Sequence, residues 1–112
     1  MLQFHSSNGG YDGATKLLSH QNDLTAVFCG NDITAIGAIR AIKDLGLKIP
    51  KDISVISIDD IDIAQYLSPT LTTIQVPVDS MGSIAAKILI DRIHGGHTLP
   101  MKVNLPCHLA KR

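Results

Sequence analysis

The sequence predicts an α/β fold: a parallel sheet with helices on both of its faces. Three observations carry that reading. Residues 24–29 and 53–58 are continuous runs of apolar and β-branched side chains, the pattern of strands buried on both faces. A helical segment lies between them, so strand, helix and strand follow within about 35 residues, the size of one βαβ unit. Each run is followed by polar residues, Gly30-Asn31-Asp32 and Asp59-Asp60, which mark where the strands stop.

Taken in order, residues 1–10 read as irregular, with Ser6-Ser7-Asn8-Gly9-Gly10 as a loop or helix entry. Tyr11, Ala14, Leu17 and Leu18 follow helical spacing, which predicts a short helix over 11–20. After the first strand, Asn31 or Asp32 offers a side-chain oxygen to cap a helix that runs to Leu45, with Gly46 just past its end. Pro50 marks the turn into the second strand. Residues 59–69 read as loop or short helix, and 71–76 as a third strand closed by Pro77. Asp79 or Ser80 is expected to cap a long helix. There Met81, Ile84, Ala85, Ile88, Leu89 and Ile93 form one apolar stripe, and His94-Gly95-Gly96 ends it. Residues 101–105 alternate weakly and are expected to form a last strand.

The helix over 33–45 carries more apolar surface than one sheet can cover. Ile33, Ala35, Ile36, Ala38, Ile39, Ala41, Ile42 and Leu45 wrap most of its circumference. The second face is covered either by another part of the chain or by a second subunit, and Ile36, opposite Ala38 and Ala41, is the candidate interface residue.

Composition narrows the function. The chain has 112 residues, 45% hydrophobic and 18% charged, which is globular and the size of one small domain or part of a larger one. Ten basic residues balance ten acidic ones, which argues against a dedicated nucleic-acid binder. Four aromatic residues, none of them Trp, are too few for a base-stacking surface. No apolar run approaches the roughly 18–20 residues of a membrane span, and no secretory or lipidation signal is visible. Cys29 and Cys107 both sit in apolar, strand-like surroundings and read as buried core residues. The expectation is a cytoplasmic protein with no membrane partner.

Chemistry in an open parallel sheet belongs outside the carboxyl ends of the strands. If the two main strands are neighbours, Asn31, Asp32, Asp59 and Asp60 converge on one edge. Carboxylates and an amide there suit the vicinal hydroxyls of a sugar. Against this stands a plainer reading, in which Asn31 or Asp32 only caps the helix and Asp60 and Asp62 are solvated loop charges. A hard oxygen site for Mg²⁺ at Asp32, Asp59 and Asp60 would suit a phospho-acceptor or hydrolase, but such sites need a Lys at a neighbouring strand end, and none stands there. His94 and His97 read as solvated loop residues. No phosphate loop, nucleophile elbow or zinc spacing is present, so neither an enzyme nor a cofactor is expected.

The run Thr25-Ala26-Val27-Phe28-Cys29-Gly30-Asn31-Asp32, then Gly46-Leu47-Lys48-Ile49-Pro50-Lys51-Asp52-Ile53-Ser54-Val55, then Asp59-Asp60, closely resembles the lactose/galactose repressor (LacI/GalR) family. Tyr66-Leu67-Ser68-Pro69-Thr70-Leu71-Thr72-Thr73-Ile74 continues the match. So do Gly82, Ala85-Ala86 and Leu89. The first half of the pattern is shared with periplasmic sugar-binding proteins, which leaves a soluble sugar-transport protein as an alternative. The resemblance implies a periplasmic-binding-protein-like (type I) effector domain of two lobes, each a doubly wound parallel sheet. It implies that residues 1–70 and 100–112 belong to the C-terminal lobe and 76–98 to the N-terminal lobe. It also implies ligand contacts at Asn31 and Asp59, homodimer contacts at Ile36 and Tyr66, and a small-molecule effector, often a sugar. Operator DNA would be reached only through a DNA-binding domain that this chain does not contain. Ser57 stands where the family usually has Gly before its Asp pair.

Overall fold

The computed structural model describes residues 6–112, so the expected irregular start is tested only from Ser6 onward. Ser6 is an N-cap: its hydroxyl accepts from the backbone N–H of Gly9 at 3.0 Å and starts α1 (Ser7–His20) ahead of the expected Tyr11. Next come β1 (Ala26–Phe28), α2 (Asp32–Asp44), β2 (Ser54–Asp59), a 3-10 turn (Asp62–Tyr66), β3 (Thr72–Gln75), α3 (Val78–Ile93) and β4 (His108–Ala110). Gly46 adopts a φ of +78° just beyond α2, the left-handed position that glycine fills without strain.

The four strands form one sheet in the order β1-β2-β3-β4. The first three are parallel, with Phe28 beside Ile56 and Ile58 beside Ile74. The predicted βαβ unit is thus present, with its two strands as neighbours. β4 runs antiparallel to β3, which makes that edge of the sheet mixed.

α2 supplies the core. Its Ala35, Ala38, Ile39, Ala41 and Ile42 are buried, together with Cys29, Ile53, Ala64 and Leu71. Small side chains on α2 let α1 come close. A Cβ on Gly37 would lie 1.8 Å from the carbonyl oxygen of Ser7, and one on Gly10 would lie 2.0 Å from that of Thr34. α1 therefore covers the Gly37 side of α2, so this part of its second face is closed within the chain. Ile36 stays half-buried and Ile33 exposed. Tyr11 ties the two helices at their surface, its hydroxyl donating to Asp44 at 3.1 Å.

Four expectations need correction. The last strand is 108–110 rather than 101–105. It is selected by pairing, with Gln75 beside His108 and Thr73 beside Ala110, and by reciprocal bonds between Thr72 Oγ1 and the backbone of Arg112 at 3.0 Å. Cys107 lies just before that edge strand and is exposed, whereas Cys29 is buried. α3 starts at Val78 after Pro77 with no side-chain cap, so neither Asp79 nor Ser80 does that work. His97 is not a free loop residue: its backbone N–H and ring Nδ1 lie 3.0 Å and 2.6 Å from Asp91 Oδ2, which closes the end of α3. The apolar stripe of α3 is helical as expected, yet none of its residues is buried, and Met81, Leu89, Ile90 and Ile93 are exposed.

Candidate functional site at the carboxyl ends of the strands

Parallel pairing puts the carboxyl ends of β1, β2 and β3 on one rim. Phe28 pairs with Ile56, and just beyond these carboxyl ends β1 leads to Asn31, the cap of α2, while β2 ends at Asp59. Asp59 pairs with Gln75, and Gln75 in turn with His108. With Asn31 beyond the end of β1, the carboxyl edge carries Asp59, Gln75 and His108 side by side. The last two were not singled out from the sequence, because their place depends on a strand register that no local motif encodes.

Asn31 has extended backbone and caps α2, its Oδ1 accepting from Thr34 N–H at 2.8 Å. Capping fixes the orientation of the amide at the rim. Asp59 is exposed and has a φ of 125°; Asp60 follows at 57°. Two successive non-glycine residues at positive φ end the extended strand in a conformation that L-residues rarely adopt. Partial burial and, after it, the charge of Asp32 push the Asp59 carboxyl above its ordinary range.

Asp59, Asp60, Asp62, Gln75, Asp79 and His108 line a hollow of about 390 Å³ between the rim and the start of α3. Asn31 is not among the residues lining it. Asp60 is no solvated loop charge: its side chain is 10% exposed and its Oδ1 pairs with Arg112 Nη1 at 2.8 Å.

Asp32 departs most from expectation. It is neither a ligand group at the surface nor a simple cap but is fully buried. Its Oδ1 accepts from Ser57 Oγ at 2.5 Å and Thr73 Oγ1 at 2.6 Å, and its Oδ2 from the Ile61 backbone N–H at 2.8 Å. A charge at the first residue of a helix also meets the positive end of the helix dipole. With Asp32 held by these donors and Asp60 by Arg112, the proposed oxygen set for Mg²⁺ is broken up. Among the described residues no group of three or more His, Cys, Asp or Glu is placed to hold a metal.

Of the two expected interface residues, Tyr66 is 78% exposed at the end of the 3-10 turn, and Ile36 is half-buried on α2. The segment following Tyr66 is tied to α2, because Lys43 Nζ donates to the Ser68 carbonyl.

Comparison with known proteins bears on what this rim is for. A family model described as a periplasmic binding protein-like domain matches residues 3–112. The transcriptional repressor PurR of Klebsiella pneumoniae (strain 342) is 51% identical over 84 residues, covering 75% of this chain and 25% of that protein. PurR of Escherichia coli O1:K1 / APEC is 41% identical over 103 residues, covering 92% and 30%. Among solved structures, a LacI family transcriptional regulator from Enterococcus faecium with bound ribose superposes with a TM-score of 0.85 at 38% identity, covering 96% of this chain and 40% of that one. The complex of the transcriptional regulator CelR with cellobiose gives 0.93 at 31% identity, covering 96% and 33%. The chain thus spans well under half the length of each of these relatives. Among the described residues no helix is long and apolar enough to cross a membrane.

Proposed function

Because the chain belongs to the lactose/galactose repressor family and forms part of its periplasmic-binding-protein-like effector domain, we propose that it supplies one wall of the effector cleft of a sugar-responsive transcriptional repressor. The observation that carries this is the rim itself: two parallel neighbouring strands that bring Asn31 and Asp59 to one edge of the sheet. An amide on the same edge of the sheet as an exposed carboxylate suits the hydroxyls of a neutral sugar. The ribose and cellobiose held by two structural relatives support that class.

On this reading residues 1–70 and 100–112 belong to the C-terminal lobe and 76–98 to the N-terminal lobe. The unburied apolar stripe of α3 supports that division, since a helix of the other lobe would bury it against residues outside this chain. Ile36 and Tyr66 contact a second subunit, a reading supported by the exposure of Tyr66 and by the tie from Lys43 to the segment that follows it. The parent acts in the cytoplasm and reaches operator DNA through a domain outside this chain. A bound sugar changes how the lobes sit and so biases the DNA-binding heads, a coupling between two sites by population shift.

The test is isothermal calorimetry of the full-length parent with ribose and with cellobiose, wild type against Asp59→Ala. Binding of either sugar that is lost in the variant supports the reading. Binding of equal strength in both proteins overturns it.

A further inference from the structure

The rim residue that matters most for ligand contact, Asp59, sits in a backbone conformation that L-residues hold only where the surroundings over-determine it. What over-determines it is one buried side chain. Ser57 lies two residues before Asp59 and Ile61 two residues after it. The Ser57 hydroxyl and the Ile61 N–H both end on the carboxylate of Asp32. Between them, the N–H of Asp60 reaches Thr73 Oγ1 at 3.3 Å, and that hydroxyl donates to the same carboxylate. The segment from β2 into the 3-10 turn is thus tied at three points, directly or through Thr73, to one carboxylate that water does not reach. The arrangement also explains Ser57: in place of glycine it adds a donor to the buried carboxylate.

We propose that Asp32 is a positioning residue for the effector site, holding the 57–61 segment so that Asp59 is presented at the rim in its binding geometry. The proposal rests on the reading of Asp59 as a ligand contact. A carboxylate suits the task because its two oxygens can accept from all three donors at once, and bonds to a charge are roughly twice as strong as neutral ones. An amide of the same shape must present an NH₂ on one side, so either the Ile61 N–H loses its acceptor or the two hydroxyls have to turn away or reverse their roles, and each loosens the segment. Asp32 also acts on Asp59 through its field, since its charge is one of the causes that raise the Asp59 carboxyl.

The experiment is nuclear magnetic resonance of the 112-residue chain, wild type, Asp32→Asn, Thr73→Val and Asp59→Asn. It reads the carboxyl titration of Asp59, amide exchange at Asp60 and Ile61, and shifts on adding ribose. The other charged or titratable groups around the hollow, Asp60, Asp62, Asp79 and His108, are unchanged in the first two variants. In Asp32→Asn the Asp59 midpoint falls toward the ordinary aspartate value, Ile61 loses about tenfold of its exchange protection, and ribose is bound about tenfold more weakly. A purely structural loss at a distance would not move the Asp59 midpoint. An Asp32→Asn protein that folds with that midpoint and the Ile61 protection unchanged overturns the proposal. Should that variant not fold, Thr73→Val decides: about tenfold loss of protection at Asp60 and Ile61 supports the positioning role, and unchanged protection refutes it. Asp59→Asn is expected to lose the ribose response while keeping Ile61 protected. If ribose fails to bind even the wild type, the ribose arm weighs against the function reading, and the ligand-free measurements still decide on Asp32.

Discussion

Gly37→Ala tests the packing on which the rest of the chain is built. A methyl group on Gly37 would sit 1.8 Å from the Ser7 carbonyl oxygen, 2.7 Å from its carbon and 2.8 Å from Tyr11 N. All three are backbone atoms, so no side chain can swing aside. Ordinary contact between carbon and oxygen is about 3.5 Å, so the first turn of α1 would have to retreat by well over an ångström. Overpacking of a close-packed site costs about 1–3 kcal/mol, and a clash with rigid backbone belongs at the upper end. Alanine returns about 1 kcal/mol of helix propensity. The net loss is then about 2 kcal/mol, which at a urea dependence of about 2 kcal/mol/M lowers the unfolding midpoint by about 1 M. The internal control is Gly82→Ala in α3, where an added Cβ meets nothing within 4 Å. There the same exchange gains up to about 1 kcal/mol. Urea unfolding followed by circular dichroism compares the two. A Gly37→Ala midpoint equal to or above that of Gly82→Ala would refute the close approach of α1 to α2.

Three further outcomes follow from the same structure. Asp59→Asn is expected to leave the urea midpoint at pH 7 unchanged or higher, because a carboxyl raised in the folded state opposes folding while it is charged and only gains as pH falls toward its folded value; a clear drop would show that Asp59 is structural. Cys29 is buried with its thiol pushed up to about 11, and Cys107 is exposed, so a thiol reagent at pH 8 should label one group at once and the second only in denaturant; two fast groups would contradict the burial of Cys29. Asp44 is held below its ordinary value first by its bond from Arg40, with Tyr11 adding to it, so its contribution is present above about pH 3.8 and lost as pH falls through the depressed value. Asp44→Asn should therefore flatten the acid limb of the stability curve below that pH, and an unchanged limb would show that the bonds count for nothing in solution.

The parts that were legible in the sequence are those whose cause is local. An apolar run bounded by Gly30-Asn31-Asp32 has one cheap solution, a buried strand followed by a capped helix, and both the strand and the Asn31 cap are present. Gly46 at a left-handed φ is legible for the same reason. The Asp32 network is not, because its partners are 25, 29 and 41 residues away and nothing in the neighbourhood of Asp32 names them. A carboxylate at a helix start beside Asn31 reads as cap, sugar ligand or metal ligand until the β2-β3 register brings Ser57 and Thr73 within reach of it. Position 57 was visibly unusual, but a serine for a glycine acquires a meaning only once its acceptor is known. The last strand failed in the same way: between two weak alternations, pairing with β3 decides, and pairing is not a local property.

α3 shows the converse, a local pattern that is correct without being used up. Its stripe specifies a helix with one buried face, and the chain folds the helix but buries no residue of it fully, leaving Ile84 and Ile88 half-buried. Fully covering a Leu or Ile side chain is worth about 1.5–3 kcal/mol, so Met81, Leu89 and Ile93 of the stripe alone leave several kcal/mol of burial unclaimed. α1 closes the Gly37 side of α2, and no described element closes α3. On the proposed division into lobes, one partner surface would meet both the apolar stripe of α3 and the one-sided rim at Asp59: a second lobe that faces the rim and carries α3 in its core.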